Sequence, residues 1–128
     1  ADKQQKALAD AVQQAENNID ELIENGTIQG KVEQIHDERG NKVEGQYQVI
    51  TYLHFYLPVP YGDNDMRRVR LASRDIAPAL PKELIMPFLQ SLAKKYENAG
   101  YMVDPVHYAG GHQGWIVLKY NRSDTPQG

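Results

Sequence analysis

The run Met66-Arg67-Arg68-Val69-Arg70-Leu71-Ala72-Ser73-Arg74 places four arginines within eight residues. In a strand, Arg68 and Arg70 share one face at a spacing of about 6.5 to 7 Å, close to that of successive phosphates along one nucleic-acid strand. Side chains able to stack on bases, His107 and Trp115 together with Tyr108, His112 and Tyr120, follow in the same basic part of the chain, as does Lys119. A single-strand binder needs both features. Arg67, Arg68, Arg70, Arg74, His107, Trp115 and Lys119 therefore form one candidate site. The competing expectation is that these arginines cover a sheet and pair with acidic residues of the first helix.

A second constellation comes from the alternation of Val43 to Leu57, whose even positions include Ile50, Tyr52, His54 and Tyr56. Large amphipathic rings in a row suit a protein interface or a ligand groove. A covered second face is the alternative.

Other chemistry finds little support. The chain has no cysteine, which removes disulfides, thiolate nucleophiles and Cys-based zinc sites. Its four histidines lack the paired spacing of a metal site. Asp63-Asn64-Asp65 lacks the remaining ligands of a calcium loop. Gly110-Gly111-His112-Gln113-Gly114 leads into a strand and not into the helix that receives a phosphate. Ser73, Ser91 and Ser123 occupy no nucleophile elbow. No catalytic residue, metal or cofactor is expected.

The elements that position these residues follow from periodicity. Leu8, Val12, Ala15, Ile19 and Leu22, widened by Ile23, predict a helix over residues 2–25, with an Asp2/Gln5 capping box and Asn25-Gly26 at its end. Thr27 to His36 predicts a strand in which Ile35 breaks parity, as a bulge or as the strand's end, and Val43 to Leu57 the clearest strand of the chain, paired antiparallel across a polar turn. A proline- and glycine-rich loop covers Pro58 to Asp65, and Met66 to Ser73 is a third strand. After Ala77 to Pro81 comes a second helix, kinked or started by Pro87, that ends at Ala99-Gly100. Two further strands, Tyr101 to Tyr108 and Trp115 to Tyr120, precede a loose tail over residues 121–128.

The expected fold is thus a two-layer α+β sandwich in one domain: an antiparallel sheet of about five strands and two helices, in the order α-β-β-β-α-β-β. With 128 residues, 41% of them hydrophobic, a buried core is affordable. Residues 1–65 hold five basic against twelve acidic side chains, residues 66–122 nine against four, within a net charge of −3. Such halves bind a polyanion, assemble with each other, or neutralise one another across the fold. No membrane-spanning run is present. The start at Ala1-Asp2 fits removal of an initiator methionine or of a leader, and a cytoplasmic location is the expectation. The resulting functional expectation is a small non-enzymatic accessory or regulatory protein that acts through a protein interface, with a second copy as one such partner. Nucleic-acid binding by residues 66–122 is the alternative.

Overall fold

The computed structural model describes residues 2–58, 65–109 and 112–124. Most of the expected Pro58 to Asp65 loop, Gly110-Gly111, the side chain of Asp2 and the last four residues lie outside that set. Among the described residues the order is α1 (Asp2–Glu24), β1 (Lys31–His36), β2 (Lys42–Tyr56), β3 (Met66–Leu71), β4 (Arg74–Pro81), α2 (Ile85–Asn98), β5 (Met102–Val103), β6 (His107–Ala109) and β7 (Gln113–Ser123). All strand pairings are antiparallel, and the central path runs β4-β3-β2-β7-β5. Both helices contribute to one core with the sheet, which makes the α+β sandwich expected from the sequence.

The helices obey their spacing. Ala11, Val12, Ala15, Ile19 and Leu22 of α1, and Ile85, Phe88, Leu89, Leu92, Ala93 and Tyr96 of α2, are buried in that core. Pro87 sits in the first turn of α2, where its missing N–H costs no intrahelical bond; it marks the start of the helix, after a 3₁₀ turn at Lys82–Leu84. Gly100, at φ 106°, ends α2 in a Schellman arrangement: its N–H donates to Glu97 O, and the N–H of Tyr101 donates to Tyr96 O.

Strand β2 organises the sheet. One edge pairs with β7 over eleven consecutive residues, from Gln46↔Ser123 to Tyr56↔Gln113. The other edge is shared: β1 takes residues up to Ile50, and β3 pairs at Phe55 and Tyr56. Of the two readings of Ile35, the structure has the bulge, between Gln34 and His36. The Gln34 amide bridges it, donating to Val43 O and Gln46 O at 2.8 and 2.9 Å.

Several boundaries differ from the sequence expectation, and the strand expected from Thr27 begins only at Lys31, because the N–H groups of Thr27 and Ile28 donate to the end of α1. Ala77 to Pro81 belongs to a fourth strand instead of a connection, because β4 is an edge strand, where proline removes no needed ladder donor. Asp104 to Val106 interrupts the expected Tyr101 to Tyr108 strand, leaving the short β5 and β6. Asn121 to Ser123, expected as tail, continue β7 because the long β2 gives them partners.

The β3–β4 hairpin turns on Ala72 and Ser73, at φ 51° and 67°. Two positive φ values in a two-residue loop are what a primed turn requires, and asparagine and glycine are the residues suited to it. Ala72→Asn with Ser73→Gly is therefore expected to raise stability by about 1 to 2 kcal/mol. Urea unfolding checks this, and a lower midpoint would show that the alanine and serine side chains contribute contacts outweighing the strain.

Candidate functional site

Side chains alternate across a strand, so the two faces of β2 have separate fates. Leu53, Phe55 and Leu57 are fully buried under the helices, joined from β7 by Ile116 and Leu118. The even positions turn to the other face, on which no helix packs. There Tyr52 and Tyr56 remain 54% and 52% exposed. Across the ladder Tyr52 stands opposite Val117, His54 opposite Trp115, and Tyr56 opposite Gln113. On the outer side of β7, His107 is the register partner of Trp115, and Met102, 46% exposed, is that of Lys119.

The rings form a connected ridge. His54 stacks on Trp115 with centroids 5.2 Å apart and planes within 7°. Tyr56 lies 4.8 Å and Tyr52 6.2 Å from the same imidazole, both tilted. The orientation of His54 is fixed further by a 3.1 Å hydrogen bond between its Nε2 and Gln113 Oε1. Beside this ridge lies a groove of about 530 Å3, lined by Thr27 to Gln29, the three even residues of β2, and Arg70 to Ser73.

Both candidate sets from the sequence meet here, with two exceptions. Ile50, Tyr52, His54, Tyr56, Arg68, Arg70, His107, Trp115 and Lys119 share the helix-free face by strand parity and register. Arg67 does not: it has the parity of Val69 and Leu71 and is 7% exposed, its Nη1 donating to Met66 O at 3.3 Å and its Nε without a partner among the described residues. Arg74 points to α1 instead, where its Nη2 donates to Asn18 Oδ1 at 2.9 Å and pairs with Glu21 at 3.3 Å. Arg67 is one residue from Arg68 and so takes the opposite face, while the turn at Ala72-Ser73 carries Arg74 into β4 as the register partner of the buried Leu71.

Charge on this face is largely internal. Arg70 Nε stands 3.0 Å from Asp75 Oδ1, without its N–H aimed at the oxygen, and Arg70 Nη2 donates to Ser73 O at 3.0 Å. Lys119 pairs with Asp104 at 3.2 Å, and Lys31 with Glu33 at 3.4 Å. Among the described residues Arg68 has no ion pair. Elsewhere, Arg74–Glu21 and Lys95–Glu16 join the basic and acidic halves of the chain across the fold. Part of the sequence asymmetry is thereby neutralised internally.

The sequence did not single out Gln113, which orients His54, or Gln29 and Ser73, which line the groove. Their roles depend on register and turn geometry, which no local pattern carries. Among the described residues no group of three or more histidine and carboxylate side chains is placed to hold a metal, and no helix is long and apolar enough to cross a membrane. No family model, curated protein or solved structure matches this chain.

Proposed function

We propose that the chain is a non-enzymatic binding protein whose working surface is the helix-free face of the sheet, and that another protein occupies it. The observation that carries this reading is the exposure of Tyr52 and Tyr56 on a ridge whose other rings, His54 and Trp115, are held in fixed orientation. Rigid amphipathic rings supply contact area at low entropic cost, and they dominate the centres of protein interfaces.

Nucleic acid is the second reading, favoured by Arg68 and by the shared location of Arg70, His107, Trp115 and Lys119. Two features weigh against it. Arg70, Lys119 and Lys31 already have carboxylate partners, so phosphate contacts must displace them. His54 and Trp115 stack on each other, which uses ring faces that a base requires.

The test compares the parent with Tyr52→Lys/Tyr56→Lys in three assays: sedimentation across concentration, capture of partners from a lysate, and binding of labelled oligonucleotides at two salt concentrations. Self-association or capture by the parent, weakened about 10- to 100-fold in the variant, is the expected outcome. A complex that forms equally with both proteins places the interface elsewhere. Oligonucleotides bound at low salt and released as salt rises would give the face to nucleic acid.

A further inference from the structure

The hydrogen-bonding direction of β2 can be read from its two ends. Leu57 N–H donates to His112 O at 2.9 Å, and Asp124 N–H donates to Gly45 O at 2.7 Å, with one continuous register between them. Odd residues of β2 therefore turn their main-chain groups to β7. In an antiparallel strand the next residue turns them to the opposite edge. On that edge Ile50 is matched with Lys31 and Tyr56 with Arg70. Between these pairs, the N–H and C=O of Tyr52 and His54 have no partner among the described residues.

The neighbouring strands leave this gap for identifiable reasons. Ahead of β1, Ile28 N–H donates to Leu22 O at 3.0 Å and Thr27 N–H to Asn25 Oδ1 at 2.9 Å, which draws the chain toward the end of α1. On the far side, the turn at Ala72-Ser73 ends β3 at Leu71. The interval from Ile50 to Phe55 is about 17 Å along the strand. The groove of about 530 Å3 lies at this interval, walled by Gln29 on one side and by Arg70 and Ser73 on the other.

We propose that this slot takes an extended segment of the partner polypeptide, which completes the ladder of β2 on the main chain of Tyr52 and His54. The inference rests on the protein-interface reading and specifies what the partner contributes. Donor and acceptor groups repeating every two residues match a polypeptide main chain, as in strand addition to a sheet edge. Alternate side chains of the guest lie against Tyr52 and Tyr56, so an aromatic or aliphatic residue belongs there.

The experiment uses the full chain, labelled with nitrogen-15, and pentapeptides, about 17 Å long when extended, selected on it from a random displayed library. In the free protein the amides of Tyr52 and His54 are expected to exchange about 100-fold faster than those of Leu53 and Phe55, which face β7. Selected peptides, enriched in aromatic or aliphatic residues at alternate positions, are expected to slow both amides at least about 10-fold. N-methylation of alternate peptide amides is expected to abolish binding. Protection of both amides in the free chain overturns the proposal, because the slot is then already filled. A library that yields no binder, or binders that leave the two amides unchanged, also overturns it. Binders of the last kind that are lost in Tyr52→Lys/Tyr56→Lys leave the wider interface reading standing, whereas insensitivity to that variant removes the interface reading itself.

Discussion

Phe55→Ala is expected to cost about 3 to 5 kcal/mol of stability, whereas Tyr56→Ala, one residue further along the same strand, is expected to cost less than about 1 kcal/mol. Phe55 is fully buried in the core between sheet and helices, and its truncation leaves a cavity that close-packed neighbours fill only in part. Tyr56 is 52% exposed, and its ring contacts are confined to the open face. Urea unfolding of both variants at several protein concentrations makes the comparison, with an unchanged m-value as the sign that neither alters the unfolded reference. A Tyr56→Ala cost as large as that of Phe55→Ala, and growing with concentration, would mean that a second copy buries this face in solution. That outcome would identify the partner as the chain itself.

The second large effect is a loss of stability at high pH. Tyr96 is 3% exposed, and its hydroxyl donates to Asp20 Oδ1 at 3.1 Å. Burial, reinforced by the charge of Asp20, holds this phenol above its ordinary value of 10.0. A folded-state value raised in this way contributes stability that is present below pH 10 and is lost as pH rises through the folded value. Between pH 10 and 12 the loss is expected to be about 1 to 2 kcal/mol, after a discount for partial solvent screening at the edge of the core. Tyr96→Phe removes this contribution and flattens the alkaline limb. The slope that remains belongs in part to Tyr101, raised by burial and by Tyr120 and Asp20.

Asp20 behaves in the opposite pH range. Burial raises its carboxyl above 3.8, the Tyr96 hydrogen bond opposes the rise, and Glu16 and Glu24 add to it. The associated stability is present below the unfolded value and lost as pH rises, so the ionised carboxylate opposes folding at neutral pH. Its place near the end of α1, whose last turn holds no basic residue, adds the unfavourable helix dipole. Asp20→Asn keeps an acceptor for Tyr96 and removes the charge. A gain of less than about 1 kcal/mol at pH 7 is expected, because the carboxyl is only partly desolvated beside Tyr96 and otherwise screened by solvent. The gain should fade below about pH 4, and its persistence there would assign it to something other than charge.

Periodicity made much of this structure legible. Leu8 to Leu22 gave the stripe of α1, and Val43 to Leu57 gave both the core face and the open face of β2. The shared side of Arg68 and Arg70 also followed from counting by twos. The same count sets Arg67 with Val69 and Leu71, and its place in the candidate site followed the density of arginines and not their parity. The fourth strand was hidden by Pro78 and Pro81, which read as a connection until the edge position of β4 explains them. The merging of two candidate sites into one face was equally hidden. It depends on pairing His54 with Trp115 across sixty residues, and no local pattern encodes that register.

The eleven-residue ladder between β2 and β7 also bears on how the protein is made. Synthesis proceeds from the N-terminus, so β2 emerges long before the strand that forms its longest pairing. Until β7 follows, Leu53, Phe55 and Leu57 lack the complete sheet that seals them beneath the helices, and eleven residues of β2 present an unpaired edge. Such a chain closes its sheet late and through contacts distant in sequence, the circumstance in which nascent polypeptides depend most on protection from one another.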